Sequence, residues 1–374
     1  MLRASMVKKL AVAAIITIGL FVLVEGCLRA TLVRCTAPEP NLCRSDEISY
    51  RYNEADGGGD LVPNQDGVWA IWPHRPYHVQ TNSDGLRNAE EVDPHAELTI
   101  LAVGDSFTFG PYVPNEDTWP AWLEHMLRTS LGPGVQVLNG GVARYTIQDE
   151  HHYLAERGLS LEPDLVIIAF YPNDISDFRG IQRDYLAQAI TTNHSDSVLS
   201  RVRASVLDLE NRLAIVQLAT RFKRSMEVSE VQWRQATSEA HVRKTCDPFL
   251  LPAEDDPDPC WTQFDVWIRR TISMLQAKQT QVLVVAIPDQ RQLDGRLSAT
   301  VPQDFVAAVV SEEEARFLDL LTDLSEVSDP ESLYLQRWDP VSQEHLGNAH
   351  MSSYGYQQVA RQIASELENS DLLH

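Results

Sequence analysis

The sequence predicts an α/β protein, a parallel sheet with crossover helices, interrupted by a helical insertion at about 178–262. Three observations predict it. From Glu97 onward, strand-like and helix-like stretches alternate. The run Asp164–Phe170 (DLVIIAF) is apolar throughout after its first residue, as in a strand covered on both faces. Successive strand-like runs end in polar tips, Gly104-Asp105-Ser106, Asn139-Gly140-Gly141 and Tyr171-Pro172-Asn173-Asp174. Such tips can converge on one rim, where open α/β sheets place their ligands.

The 374 residues fit one α/β domain with insertions, and the net charge of −22 argues against nucleic acid or an anionic membrane surface as the main partner. Arg3, Lys8 and Lys9 precede an uncharged apolar run, Leu10–Val24, which Glu25-Gly26-Cys27 interrupts. Residues 1–35 therefore read as a signal or membrane-anchor segment. A cleaved signal, a retained anchor reaching about Leu28, and a lipoprotein signal ending before a lipidated Cys27 all remain open. The expected location is extracytoplasmic and membrane-tethered, on the periplasmic or extracellular face. Cysteine usage agrees with export: Cys35/Cys43 and Cys246/Cys260 form two local couples around Pro-containing loops, suited to disulfides. Neither couple has the spacing of a zinc site.

Residues 36–96 are rich in Pro, Gly, Asn and Asp, with short β-like runs near Val68–Trp72 and Tyr77–Thr81. They read as an N-terminal extension packing on a main domain at 97–374. Asp56-Gly57-Gly58-Gly59-Asp60 reads as a turn, and His74 and His78 as surface or packing residues. In the main domain the expected strands are Leu98–Val103, Val135–Leu138, Asp164–Phe170, Gln281–Ile287 and Phe317–Leu321. Helices are expected around Thr118–Thr129, up to about Arg157, and over Phe264–Ala277, Val301–Phe317 and Tyr354–Glu368. His151 and His152 are neighbours on a helix, face different ways, and give no metal pair.

Ser106 sits at the tip of the first strand and is the candidate nucleophile, although Gly-Asp-Ser alone is also an ordinary turn. A serine hydroxyl needs a base within reach and donors for a developing oxyanion. His350 is the candidate base. It lies in a polar stretch, Gly347 to Gly355, expected to be a loop just before the last helix.

These pieces resemble, in order and spacing, the SGNH/GDSL hydrolase superfamily over about Glu97–Asp177 and again from Gln281 to the end. The resemblance implies a three-layer α/β/α sandwich of flavodoxin-like form. It makes Ser106 the nucleophile and an oxyanion donor through its N–H, Asn173 a side-chain oxyanion donor, and His350 the base, with Gly355 in the small position five residues later. Two positions depart from the family pattern. Arg144 stands where the second block usually has a glycine and would be the remaining oxyanion donor, with Gly141 as fallback. Asn348, with Gly347, stands where an aspartate usually precedes the histidine. Asn348 can orient His350, a Ser-His dyad can act alone, or Asp339 or Glu344 can supply the carboxylate. The implied activity is hydrolysis of an ester through a Ser-His acyl-enzyme, on a small-molecule or glycan substrate such as an acetylated extracytoplasmic polysaccharide, without cofactor or metal. An O-acetyltransferase using the same site and a catalytically silent glycan-binding module are the alternatives.

Overall fold

The computed structural model describes residues 17, 19–24, 50–52, 59–69, 77–143, 145–177, 246–249, 259–339 and 344–373. The chain divides into two units, residues 1–45 with 191–242, and 46–190 with 243–374. In the first, residues 19–24 are helical and exposed. No helix among the described residues is long and apolar enough to cross a membrane. Cys27, the Cys35/Cys43 couple, His74 and most of the expected insertion lie outside the described residues.

The second unit begins with two antiparallel pairs, β1 (Tyr50–Tyr52) with β2 (Gly59–Leu61), and β3 (Asp66–Trp69) with β4 (Tyr77–Gln80). Then come β5 (Leu98–Gly104), α1 (Ser106–Phe109), α2 (Trp119–Leu131), β6 (Val135–Asn139), α3 (Ile147–Glu156), β7 (Leu165–Phe170) and α4 (Asn173–Asp177). The chain continues with α5 (Pro259–Ala277), β8 (Gln281–Ala286), α6 (Gln290–Leu293), α7 (Val301–Glu312), β9 (Arg316–Asp319) and α8 (Leu321–Ser325). A hairpin of β10 (Tyr334–Asp339) and β11 (Glu344–Met351) leads into α9 (Ser353–Asn369).

Five strands form one sheet in the order β6-β5-β7-β8-β9, every pair parallel. Alternate residues of each strand feed opposite faces. Leu101, Val103, Val166, Ile168, Val282 and Val284 pack with α3, α5 and α7 residues such as Leu154, Phe264, Ile268 and Val306. Ile100, Ala102, Leu165, Ile167, Leu283 and Val285 pack with α2 and α9 through Trp119, Leu123, Tyr356, Val359 and Ile363. The result is the expected three-layer α/β/α sandwich. The helix after β5, α2, covers one face, and the helix after β7, α5, covers the other. A switch point, and a ligand crevice, therefore lies beyond the C-terminal ends of these neighbouring strands.

The extension closes the outer edge of β6. Asn88 exchanges side-chain bonds with Val137 O (3.0 Å) and Asn139 N–H (2.8 Å), and Arg87 N–H donates to Asn139 O (2.8 Å). An edge strand whose groups are paired this way is no template for another chain. Cys246 and Cys260 are disulfide-bonded, with Cα atoms 5.3 Å apart.

Three expectations change. The helix expected over Val301–Phe317 ends at Glu312, because Glu314 adopts a left-handed conformation (φ 54°) that turns the chain into β9. That strand is Arg316–Asp319 instead of Phe317–Leu321. His350 lies in β11, and not in a loop, since the polar stretch around it pairs with β10 through its backbone.

Candidate active site

Gly104 ends β5 with φ +154°, and a Cβ there would stand 2.2 Å from Thr108 Oγ1, so the sharp entry into α1 requires glycine. Asp105 follows, wholly buried, and caps the short helix. Its Oδ1 accepts from Phe107 N–H (2.8 Å), and its carbonyl accepts from Thr108 N–H (3.2 Å) and Phe109 N–H (2.9 Å). Of the donors orphaned at a helix start, this leaves the Ser106 N–H without an acceptor among the described residues. A donor of that kind is what an oxyanion needs.

The Ser106 hydroxyl lies 3.0 Å from His350 Nε2, across 244 residues of chain, and 3.3 Å from Asp105 Oδ2. Asn173, opening α4 at the tip of β7, donates its Nδ2 to Asp105 Oδ2 at 2.9 Å. A carboxylate oxygen accepts, so this bond fixes which way round the amide sits and directs its second N–H away from Asp105. Asp174 Oδ2 accepts from Tyr171 N–H (2.9 Å) and holds the turn that carries Asn173. The hydroxyl, imidazole and amide thus meet at the C-terminal edge of the sheet.

The second loop presses on α1. A Cβ on Gly141 would fall 2.4 Å from Phe109 N and 2.6 Å from Thr108 C, so only glycine allows this approach. The Gly141 N–H is not a spare oxyanion donor, because it is bonded to Asn139 Oδ1 at 3.0 Å. Arg144 lies outside the described residues. Asn348 occupies β11 two residues before His350, with its side chain outside the described residues. Glu344 faces Asp339 across the far end of the hairpin. At about 3.3 Å per strand residue, the Glu344 backbone lies roughly 20 Å along β11 from that of His350, and the side chains of Asp339 and Glu344 lie outside the described residues.

Aromatic rings wall the site. Phe107 stacks on Tyr171 (centroids 3.7 Å, 18°) and on His350 (5.4 Å, 23°), while Tyr112 meets His350 edge-on (5.4 Å, 64°). The Tyr171 hydroxyl donates to Asp289 Oδ2 (3.3 Å), and burial, followed by the charges of Tyr334 and Asp289, pushes its pKa up. His151 bonds Thr271 Oγ1 (3.2 Å), and both it and His152 lean on Trp267 at 5.2 Å. Among the described residues no cluster of three or more His, Cys, Asp or Glu could hold a metal ion.

Sequence reasoning missed Glu150. It is 1 % exposed on α3, and its Oε2 has no hydrogen-bond partner among the described residues. Burial, then the fields of Asp105 and Asp149, hold its pKa well above 4.5. A carboxyl that binds its proton more tightly when folded stabilises the fold at low pH. That contribution erodes as pH rises from the unfolded value toward the folded one. Glu150→Gln, neutral throughout, is expected to gain stability on the wild type as pH rises above about 4.5, by up to about 1.4 kcal/mol per pH unit within that window. Melting curves from pH 4 to 8 check this: parallel profiles would show that Glu150 does not titrate differently on folding.

The GDSL-like lipase/acylhydrolase family model matches residues 102–358, more than half of the chain. No curated protein matches. Among solved structures, the chain is similar to a lipolytic protein of the G-D-S-L family from Desulfitobacterium hafniense DCB-2 (16 % identity, 72 % of this chain and 99 % of that one, TM-score 0.36). It is also similar to the R55A mutant of Axe2, an acetyl-xylooligosaccharide esterase from Geobacillus stearothermophilus (12 %, 75 % and 98 %, 0.42). A third is the lipase/acylhydrolase from Enterococcus faecalis (13 %, 72 % and 95 %, 0.40).

Proposed function

The chain belongs to the GDSL-like lipase/acylhydrolase family, and from that premise we propose that it is a serine ester hydrolase working through Ser106 and His350. The observation that carries the reading is the 3.0 Å approach of His350 Nε2 to the Ser106 hydroxyl, beside an N–H that has no acceptor among the described residues. His350 takes the hydroxyl proton as Ser106 Oγ attacks the ester carbonyl. The carbonyl oxygen, now negative, receives hydrogen bonds from the Ser106 N–H and the Asn173 amide, with Arg144 N–H as the remaining donor. Protonated His350 then gives its proton to the departing alkoxide, leaving Ser106 acylated. Water, deprotonated by His350, attacks the acyl carbon; the bond from that carbon to Ser106 Oγ then breaks, His350 returns the proton to Oγ, and the acid leaves. Asn348 is the residue assigned to orient His350. An amide oxygen accepts from an imidazole N–H but stabilises imidazolium less than a carboxylate does, so turnover is expected to be slower than with aspartate there.

The substrate assigned is a small acyl ester, with acetyl on an extracytoplasmic glycan preferred. The basic flank and apolar run of residues 3–24, with the Cys246–Cys260 disulfide, support an exported, membrane-tethered protein. Membrane fractionation checks the tether, through that run or a lipidated Cys27.

A fluorophosphonate probe is expected to label the wild type and not Ser106→Ala, in step with hydrolysis of p-nitrophenyl acetate. Acyl product on an added sugar, at the expense of free acid, would identify an O-acetyltransferase. No labelling that depends on Ser106 would leave a silent glycan-binding module.

A further inference from the structure

The segment before the family-matched region reaches the loop beside the active site, and its deepest contact there is one buried side chain. Arg87 is 1 % exposed, and the family match begins only at residue 102. Its guanidinium donates to the carbonyls of Phe109 and Gly110, to Val113 O at 2.6 Å, and to Asn115 Oδ1 at 3.3 Å. It also lies 4.4 Å from the Phe109 ring centroid and 5.9 Å from that of Tyr77. It makes no ion pair among the described residues. Burial lowers its pKa to about 10, which leaves it charged at neutral pH. Placing an arginine there without a carboxylate costs desolvation that its neutral acceptors offset only in part. What those acceptors do is bracket Pro111 and Tyr112.

Of the two, Tyr112 is held at φ 71°, a backbone region that bulky side chains rarely adopt. A strained conformation persists only where its surroundings over-determine it, and such residues cluster at functional sites. The Tyr112 ring stands between Tyr77 (6.0 Å) and His350 (5.4 Å), so the imidazole has Tyr112 edge-on and Phe107 stacked against it. Asn115, which takes the Arg87 Nε–H, also bonds both backbone groups of Gln80 at the end of β4 (2.8 and 3.1 Å). The extension and the 109–115 loop are one bonded assembly. We propose that Arg87 is a positioning residue supplied by the N-terminal extension, which clamps the chain on both sides of Tyr112 so that the tyrosine ring buttresses His350 at the Ser106 hydroxyl. This rests on the hydrolase reading of that pair.

The test uses the full chain with p-nitrophenyl acetate as probe. Tyr112→Gly removes the ring and relieves the backbone, two effects of opposite sign on stability, so it is expected to fold with a melting temperature near that of the wild type. Its kcat is expected to fall at least about tenfold with KM within about twofold, as for a misplaced base. Tyr112→Phe keeps the ring and is expected to restore kcat to within about threefold of the wild type. In parallel, the His350 Hε1 proton resonance, assigned by its loss in His350→Gln, is expected to move in Tyr112→Gly as the ring current is lost. Arg87→Met is expected to reproduce both changes where it folds, and Tyr112→Gly decides the matter where it does not. Wild-type kcat and an unmoved Hε1 resonance in Tyr112→Gly would overturn the proposal, as would a loss that Tyr112→Phe fails to restore. If the wild type itself cleaves no ester, the hydrolase reading fails, and the His350 Hε1 to Phe107 ring NOE decides instead: its loss in Tyr112→Gly supports the positioning role, and an unchanged NOE overturns it.

Discussion

His350→Ala is expected to lower kcat for p-nitrophenyl acetate by about 10⁴ or more with KM nearly unchanged, because the base acts on the transition state and hardly touches the bound ester. Among the described residues, Ser106 Oγ has one nitrogen base at hydrogen-bond distance, His350 Nε2 at 3.0 Å. Without it the hydroxyl proton has only Asp105 Oδ2, at 3.3 Å, and that oxygen already receives the Asn173 amide. On the proposed mechanism hydroxyl and imidazole work as a unit, so Ser106→Ala combined with His350→Ala is expected to be no slower than either single variant. Steady-state kinetics on the three proteins check this. Losses that multiply, or a single-variant loss under about tenfold, would mean that the two groups do not act together.

The sheet was legible because burial on both faces writes itself into composition. Val166, Ile167, Ile168, Ala169 and Phe170 each fill one face or the other, and no polar residue interrupts them. Ser106 and Asn173 were legible for the same reason, since each follows such a strand. The β10–β11 hairpin was not. A two-stranded ladder rests on backbone bonds, and Glu344–Met351 carries Gly347, Asn348 and two histidines where an apolar alternation would have marked a strand. Pro259, at the first position of α5, is a helix-start signal that outranks the aromatic Phe264 at which the helix was expected to begin. Arg87 and Tyr112 left no signal at all. A buried cation that answers to carbonyls at 109, 110 and 113, and a tyrosine in a glycine-like conformation, follow from tertiary geometry that no local pattern encodes.

Asp105 stands in the Gly-Asp-Ser tripeptide as if it were only a turn residue, yet its carboxylate joins the helix of the proposed nucleophile to the amide of Asn173, the proposed oxyanion donor. Oδ1 holds the Phe107 N–H and Oδ2 holds Asn173 Nδ2. Asp105→Asn keeps the volume and one oxygen. If that oxygen continues to cap α1, the new NH₂ confronts the NH₂ of Asn173, two donors at 2.9 Å with no acceptor between them. The cheaper outcome is that the Asn173 amide turns over, presenting its oxygen to the new donor and swinging its N–H groups from their present position. An oxyanion hole that loses one donor forfeits about 10²–10³ in kcat, and Asp105→Asn is expected to do so with Ser106 and His350 both intact. The helix cap survives, so stability should fall by no more than about 1–2 kcal/mol. Asn173→Ala removes the donor directly and is expected to match that kcat, and combining the two substitutions should add little. If Asp105→Asn retains wild-type kcat while Asn173→Ala loses it, the amide is held in place by something other than this carboxylate.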